Sequence, residues 1–223
     1  MLEEIIEMDK SLRVGNQLSY QLNAGPKGKR LLVLLHGYGG DQYGISSLGP
    51  SIDPEGHYVI VSPRAPINRP GGGASWYDFD EITWCANAPS FNKTLGILDQ
   101  FIDMICRQYD LNRGDCILGG FSQGAGMAAW AAFADQDKQA AALWCCGTVV
   151  KVDGRPLELT NARGSSALFL AGMSDENIPI ERTRATAARF KEAGVNVTLS
   201  EHEGGHGISP SMVRDLKTWL KQS

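Results

Sequence analysis

The stretch CILGGFSQGAGMAAWAAFA, residues 116–134, decides the fold. It opens on the apolar run Cys116-Ile117-Leu118, crosses glycines to Ser122, and continues as an alanine-rich run from Gln123 to Ala134. A short apolar run bounded by glycine reads as a buried strand, and a long alanine-rich run reads as a helix. Ser122 therefore falls on an abrupt strand-to-helix turn, in the pattern Gly120-Phe121-Ser122-Gln123-Gly124. Such a turn presents the serine oxygen at the carboxyl edge of a sheet, and flanking glycines let neighbouring backbones approach closely. The helix amino terminus also favours negative charge developing at that oxygen. The competing reading is a Gly-rich turn whose serine merely caps the helix.

Outward from this stretch the same alternation repeats. Candidate strands are Gln17 to Leu22, Leu31 to Leu35, Tyr58 to Ser62, Cys116 to Gly119, Ala140 to Cys146, Ala167 to Ala171 and Val195 to Ser200. Candidate helices are Thr94 to Tyr109, Gln123 to Ala134, Ile180 to Ala193 and Pro210 to Lys221. Strand followed by helix, repeated, predicts an α/β fold with a mostly parallel central sheet flanked by helices. A hairpin of Ile5 to Met8 with Gln17 to Leu22 is expected to start the sheet. One domain is expected over residues 1–223, since no repeat or Pro/Ser-rich linker divides them.

A serine nucleophile needs a histidine to take its proton and a carboxylate to orient that histidine. With the serine first in chain order, the acid and then the histidine must follow. Only His202 and His206 lie beyond Ser122. His206, in the loop Gly204-Gly205-His206-Gly207, is the preferred base, whereas His202 stands at a strand end, where it packs or faces solvent. After the apolar run Leu168 to Ala171 comes Met173-Ser174-Asp175-Glu176, which makes Asp175 the preferred acid and Glu176 its rival. Two backbone amides must receive the oxyanion. Gln123, next to the nucleophile, supplies one. Tyr38, in the Gly-rich turn His36-Gly37-Tyr38-Gly39-Gly40-Asp41 after the Leu31 run, supplies the other. His36 reads as an anchor for that turn rather than as a base.

The segment Arg64 to Ser90 is long and aperiodic, with four large aromatics. Loops of that length tend to be functional. Trp76, Tyr77, Phe79 and Trp84 read as a lip over a substrate groove, with Trp76 the substrate-binding candidate; the alternative is a covering packed on the sheet edge. Val149 to Ser165 is too short to hold a helical cap, so an open site follows.

The segments LLVLLHGYGG, SPRAP followed by SWYDF, GGFSQGAGM, AGMSDENIP and GGHGIS run in this order over nearly the whole chain. In them the sequence resembles the phospholipase/carboxylesterase family, which includes the acyl-protein thioesterases. The resemblance implies a cap-less α/β-hydrolase fold that uses no metal or organic cofactor and acts on esters or thioesters of short to medium acyl chains. It implies Ser122, Asp175 and His206 as the triad, with Tyr38 and Gln123 lending the oxyanion donors. The chain departs from the family pattern at an extra glycine before Asp41, at Ala125 where a glycine is usual, and at Trp144-Cys145-Cys146, which bears on chain-length preference if it lines the acyl groove.

Other classes fit less well. Gly124-Ala125-Gly126-Met127-Ala128-Ala129 imitates a dinucleotide fingerprint, but about 20 residues on there is no carboxylate for a ribose. A formal net charge of −4 with both signs scattered offers no footprint for nucleic acid. No apolar run reaches the roughly 18 residues of a membrane span, and the acidic N-terminus lacks a signal-peptide h-region. Stable membrane insertion is therefore not expected, and the cytoplasm is the expected location. The five cysteines are odd in number and lack paired spacing, as reduced and mostly buried thiols would. A small-molecule ester is the expected partner, with a homodimer as a possible assembly. A hydrolase-fold protein that binds a ligand without turnover is the reading from another class.

Overall fold

The computed structural model describes residues 18–80 and 82–222. Its strands are β1 (Tyr20–Ala24), β2 (Arg30–Leu35), β3 (Tyr58–Pro63), β4 (Ile67–Asn68), β5 (Ala74–Ser75), β6 (Phe79–Asp80), β7 (Cys85–Ala86), β8 (Cys116–Phe121), β9 (Ala142–Cys146), β10 (Lys151–Val152), β11 (Ser166–Gly172) and β12 (Asn196–His202). Its helices are α1 (Gln42–Ser46), α2 (Gly49–Ile52), α3 (Ala88–Tyr109), α4 (Gln123–Phe133), α5 (Ile180–Glu192) and α6 (Pro210–Leu220).

Seven strands form the main sheet in the order β1-β3-β2-β8-β9-β11-β12. Only β1 runs antiparallel, paired with β3; every other neighbouring pair is parallel. Parallel strands need covering on both faces, and the alternation of side chains along β2 shows how this is met. Leu31, Val33 and Leu35 join the core that α3, α4 and α5 close with Phe101, Ile102, Met127 and Phe190. Leu32 and Leu34 face the other way, into the core closed by α1, α2 and α6 through Ile45, Ile52, Leu216 and Trp219. All five of these β2 residues are fully buried.

The expected α/β architecture is thus the observed one, and among the described residues no cap domain covers the strand ends. Three local expectations change. The helix read from Thr94 begins at Ala88, because Asn87 caps it by accepting the Ser90 amide at 3.2 Å. The short helices α1 and α2 carry too few turns to show periodicity; α1 is started by Asp41, whose Oδ1 accepts the Tyr43 and Gly44 amides. The aperiodic connection after β3 supplies β4 to β7, which form two small sheets, β4-β5 and, with β10, β10-β7-β6. The first strand of the expected N-terminal hairpin, Ile5 to Met8, and Gln17 lie outside the described residues.

Candidate active site

The loops after β2, β8, β11 and β12 meet at the carboxyl ends of the parallel strands, where open α/β sheets place their ligand crevices. Ser122 follows β8 directly, with φ +53° and ψ −117°. That backbone region is sparsely populated for a residue with a β-carbon and costs about 1–3 kcal/mol. The surroundings hold it in place. The Ser122 amide donates to the Cys146 carbonyl at 2.8 Å, and the turn has glycine on both sides because the loop leaving β2 passes against it. A β-carbon on Gly124 would stand 2.3 Å from the Leu35 oxygen, and one on Gly120 2.6 Å from the same atom.

The structure brings Ser122, His206 and Asp175 into one hydrogen-bonded chain. His206 Nε2 lies 3.0 Å from Ser122 Oγ, and His206 Nδ1 lies 2.8 Å from Asp175 Oδ2. The other carboxylate oxygen of Asp175 accepts the Asn177 and Ile178 amides at 2.9 and 2.8 Å. An acceptor so engaged takes the Nδ1 proton of His206, which leaves Nε2 free to accept the serine hydroxyl proton. The Phe121 ring packs against the imidazole, with centroids 4.7 Å apart. Of the rivals, Glu176 is exposed to solvent. His202 is turned to α6, with Nε2 3.2 Å from Asp215 and 3.1 Å from Ser200 Oγ.

The loop after β2 lies against the serine. A β-carbon on Gly37 would come within 3.3 Å of Ser122 Cβ. Tyr38 occupies the second position of the turn closed by the Gly40 amide on the Gly37 carbonyl, so its own amide is outside that bond. Gln123 is the first residue of α4, where an amide has no intrahelical acceptor. Neither amide is taken up by the turn or helix that carries it. The extra glycine before Asp41 has a use here: Gly39 donates to the Ala74 carbonyl and Gly40 accepts the Ala74 amide, each at 2.9 Å, which fastens the loop to β5. His36 anchors the same loop, as expected. Its Nδ1 donates to Gly37 O at 2.8 Å, and its Nε2 accepts the Ala65 amide at 3.0 Å. Burial holds its pKa below the ordinary histidine value, which suits a neutral structural ring.

Trp76 is a correction. It is fully buried, its indole N–H donates to His36 O at 2.8 Å, and its amide donates to the side-chain oxygen of Gln123 at 2.8 Å. A side chain with no exposed surface cannot touch a substrate; Trp76 supports the floor of the site instead. The rest of the aromatic segment does form a wall. Tyr77, Phe79 and Trp84 line a cavity of about 390 Å³ shared with Ser122, Gln123 and Tyr38. Trp144, Cys145 and Cys146 do not line it. They are buried in β9, with the Trp144 indole lying against Gly119. Burial and the Asp175 charge push the Cys146 thiol up to about 12, so it stays neutral beside the serine. Ala125 is buried against Gly147. All five cysteines are free thiols, Cys85 alone being partly exposed.

Two features escaped the sequence reading. The Gln123 side chain bridges the Trp76 amide and the Tyr77 carbonyl, the latter at 2.8 Å. Lys151 and Arg182 also line the cavity. Nothing in their local sequence marks them, because a surface lysine and a helix arginine usually face water.

Among the described residues no helix is long and apolar enough to cross a membrane. Over 207 residues the chain is 26% identical to the protein MhqD of Bacillus subtilis (strain 168), covering 86% of this chain and 93% of that one. In structure it is similar to a carboxylesterase of Bacillus cereus, with a TM-score of 0.80 at 22% identity over 92% of this chain and 94% of that one. It is also similar to acyl-protein thioesterase 2 of Zea mays, with a TM-score of 0.73 at 18% identity over 91% and 97%. A family model described as phospholipase/carboxylesterase matches residues 22–223, and the chain belongs to this family of hydrolases.

Proposed function

We propose that this chain is a serine carboxylesterase that hydrolyses small carboxylic esters through an acyl-enzyme on Ser122. The observation that carries the reading is the continuous chain from Asp175 through His206 to Ser122. A neutral serine is a weak nucleophile, and this arrangement activates it. His206 Nε2 takes the hydroxyl proton as Ser122 Oγ bonds to the ester carbonyl carbon. The Tyr38 and Gln123 amides hold the oxyanion. Collapse breaks the bond to the alcohol oxygen, which leaves with the proton from His206. Water then attacks the acyl-enzyme by the same route, releasing the acid and restoring Ser122. Asp175 keeps the imidazole oriented and stabilises its cationic form. The uncapped, aromatic-walled cavity of about 390 Å³ suits short to medium acyl groups.

A fluorophosphonate probe is expected to label the folded protein at Ser122. A p-nitrophenyl ester is expected to give a burst of p-nitrophenol. Ser122→Ala should abolish labelling and lower kcat by about 10⁴ to 10⁶. A folded protein that is neither labelled nor active would point to the ligand-binding reading. Paired oxygen esters and thioesters of rising chain length rank the two leaving groups.

A further inference from the structure

The cavity that contains Ser122 has an asymmetric chemistry. Among the described residues no Asp or Glu lines it, yet Lys151 and Arg182 do, in a chain of formal net charge −4. Neither cation forms an ion pair among the described residues, and four carboxylates are engaged elsewhere. Asp78 pairs with Arg69 at 3.1 Å. Glu201 takes Arg184 at 2.7 Å, and Glu181 approaches the same guanidinium at 3.9 Å. Asp80 Oδ1 is turned into its own loop, accepting the Ile82 and Thr83 amides and the Thr83 hydroxyl.

That loop holds one of the cations in position. It closes on Trp84, whose φ of +56° is a backbone region that bulky residues rarely adopt. The strain presents the indole to Arg182, whose guanidinium carbon lies 4.8 Å from the ring centroid. A guanidinium stacked on an indole has its position restricted while its N–H groups stay available to an anion. Lys151 arrives from β10, whose register pairs it with Cys85, the residue after Trp84. Two cations from segments far apart in sequence thus line one cavity wall, Arg182 on the face of Trp84.

The triad indicates which half of an ester enters this cavity. The departing alcohol oxygen takes its proton from His206, and His206 lines a second cavity of about 420 Å³ with Phe121 and Ile208. The alcohol belongs on that side, which leaves the acyl group for the cavity containing Ser122, Gln123 and the two cations.

We infer that the acyl pocket selects esters whose acyl chain ends in a carboxylate, such as half-esters of short dicarboxylic acids, with Arg182 and Lys151 receiving the anion. This rests on the acyl transfer at Ser122 proposed above. The test compares p-nitrophenyl hemiglutarate with its neutral isostere p-nitrophenyl 5-methylhexanoate, and 4-acetoxybenzoate with 4-acetoxybenzamide. At low ionic strength kcat/KM is expected to favour the hemiglutarate by about tenfold or more, as a charge-assisted contact allows. The preference should shrink with added salt. Arg182→Gln with Lys151→Gln should bring the ratio close to one, while the acetoxy pair shows no charge preference. Equal or better turnover of the neutral hexanoate by the unaltered protein, or a charge preference confined to the acetoxy pair, overturns the inference alone. An unchanged ratio in the double variant overturns it too. Hydrolysis of none of the four esters overturns the proposed function and the inference with it.

Discussion

Replacing Gln123 by glutamate changes one donor group and tests how the floor of the site is held. In the native protein the Gln123 Oε1 accepts the Trp76 amide and Nε2 donates to the Tyr77 carbonyl, both at 2.8 Å, in a buried position. Glutamate keeps the first bond and sets an acceptor against an acceptor in the second. A buried carbonyl left without its donor costs about 1–3 kcal/mol. Confining the carboxylate adds a further cost, or raises its pKa until it protonates. Glutamate at the start of α4 recovers about 0.3–1 kcal/mol from the helix dipole, too little to offset the loss. The net expectation at pH 7 is about 2–4 kcal/mol of destabilisation. For a chain of this size that lowers Tm by about 4–16 °C. The deficit has a signature in pH. The folded-state pKa of the new glutamate is raised above its unfolded value, so its favourable, protonated contribution is present at low pH and is lost as pH rises through the folded pKa. A protonated carboxyl also restores the donor to Tyr77 O. Relative to the native protein, Gln123→Glu should therefore be least stable at neutral pH and recover toward pH 5, as read by thermal and urea unfolding at both values. A Tm within about 1 °C of native at pH 7, or a deficit that grows on acidification, would refute the role assigned to this side chain.

Three further outcomes follow from the same geometry. Asp175→Asn presents the wrong partner to His206 Nδ1 and is expected to lower kcat by about 10⁴ on a p-nitrophenyl ester; a variant keeping a tenth of the activity would remove Asp175 from the mechanism. Gly124→Ala places a β-carbon 2.3 Å from Leu35 O and 2.5 Å from His36 O, both backbone atoms. It should cost at least about 1–3 kcal/mol in urea unfolding, and an unchanged midpoint would mean that the elbow is looser than described. His36 has its pKa lowered by burial, so the stability it contributes is fully present above its unfolded pKa of about 6.5 and is lost as pH falls from there toward the folded value. Between pH 7 and pH 5 the native protein should consequently lose stability faster than His36→Gln, and parallel urea midpoints across that range would exclude the role.

Much of the site was legible because each part leaves a local trace. The elbow shows as a strand pattern that turns into a helix pattern at Gly120-Phe121-Ser122-Gln123-Gly124. Asp175 and His206 show as polar residues in loops just after strands, in the order that the chemistry requires. The two-sided burial of β2 shows as an unbroken apolar run. The start of α3 was less legible, because Asn87 and Pro89 act through capping and leave no periodic signal. Trp76 illustrates a deeper limit. Nothing local separates it from Tyr77, Phe79 or Trp84, and its burial depends on bonds to His36 and Gln123, 40 and 47 positions away.

The sequence by itself determined the α/β alternation and the family, and it singled out the serine, acid and histidine that the structure brings together, since periodicity, turn chemistry and chain order are read along the chain. Only the tertiary structure decided which aromatics line the cavity of Ser122, what the Gln123 side chain holds, and that Lys151 and Arg182 share that cavity. Those facts depend on how β7, β10 and α5 pack together, and packing between distant segments is set by the whole core rather than by any stretch of it.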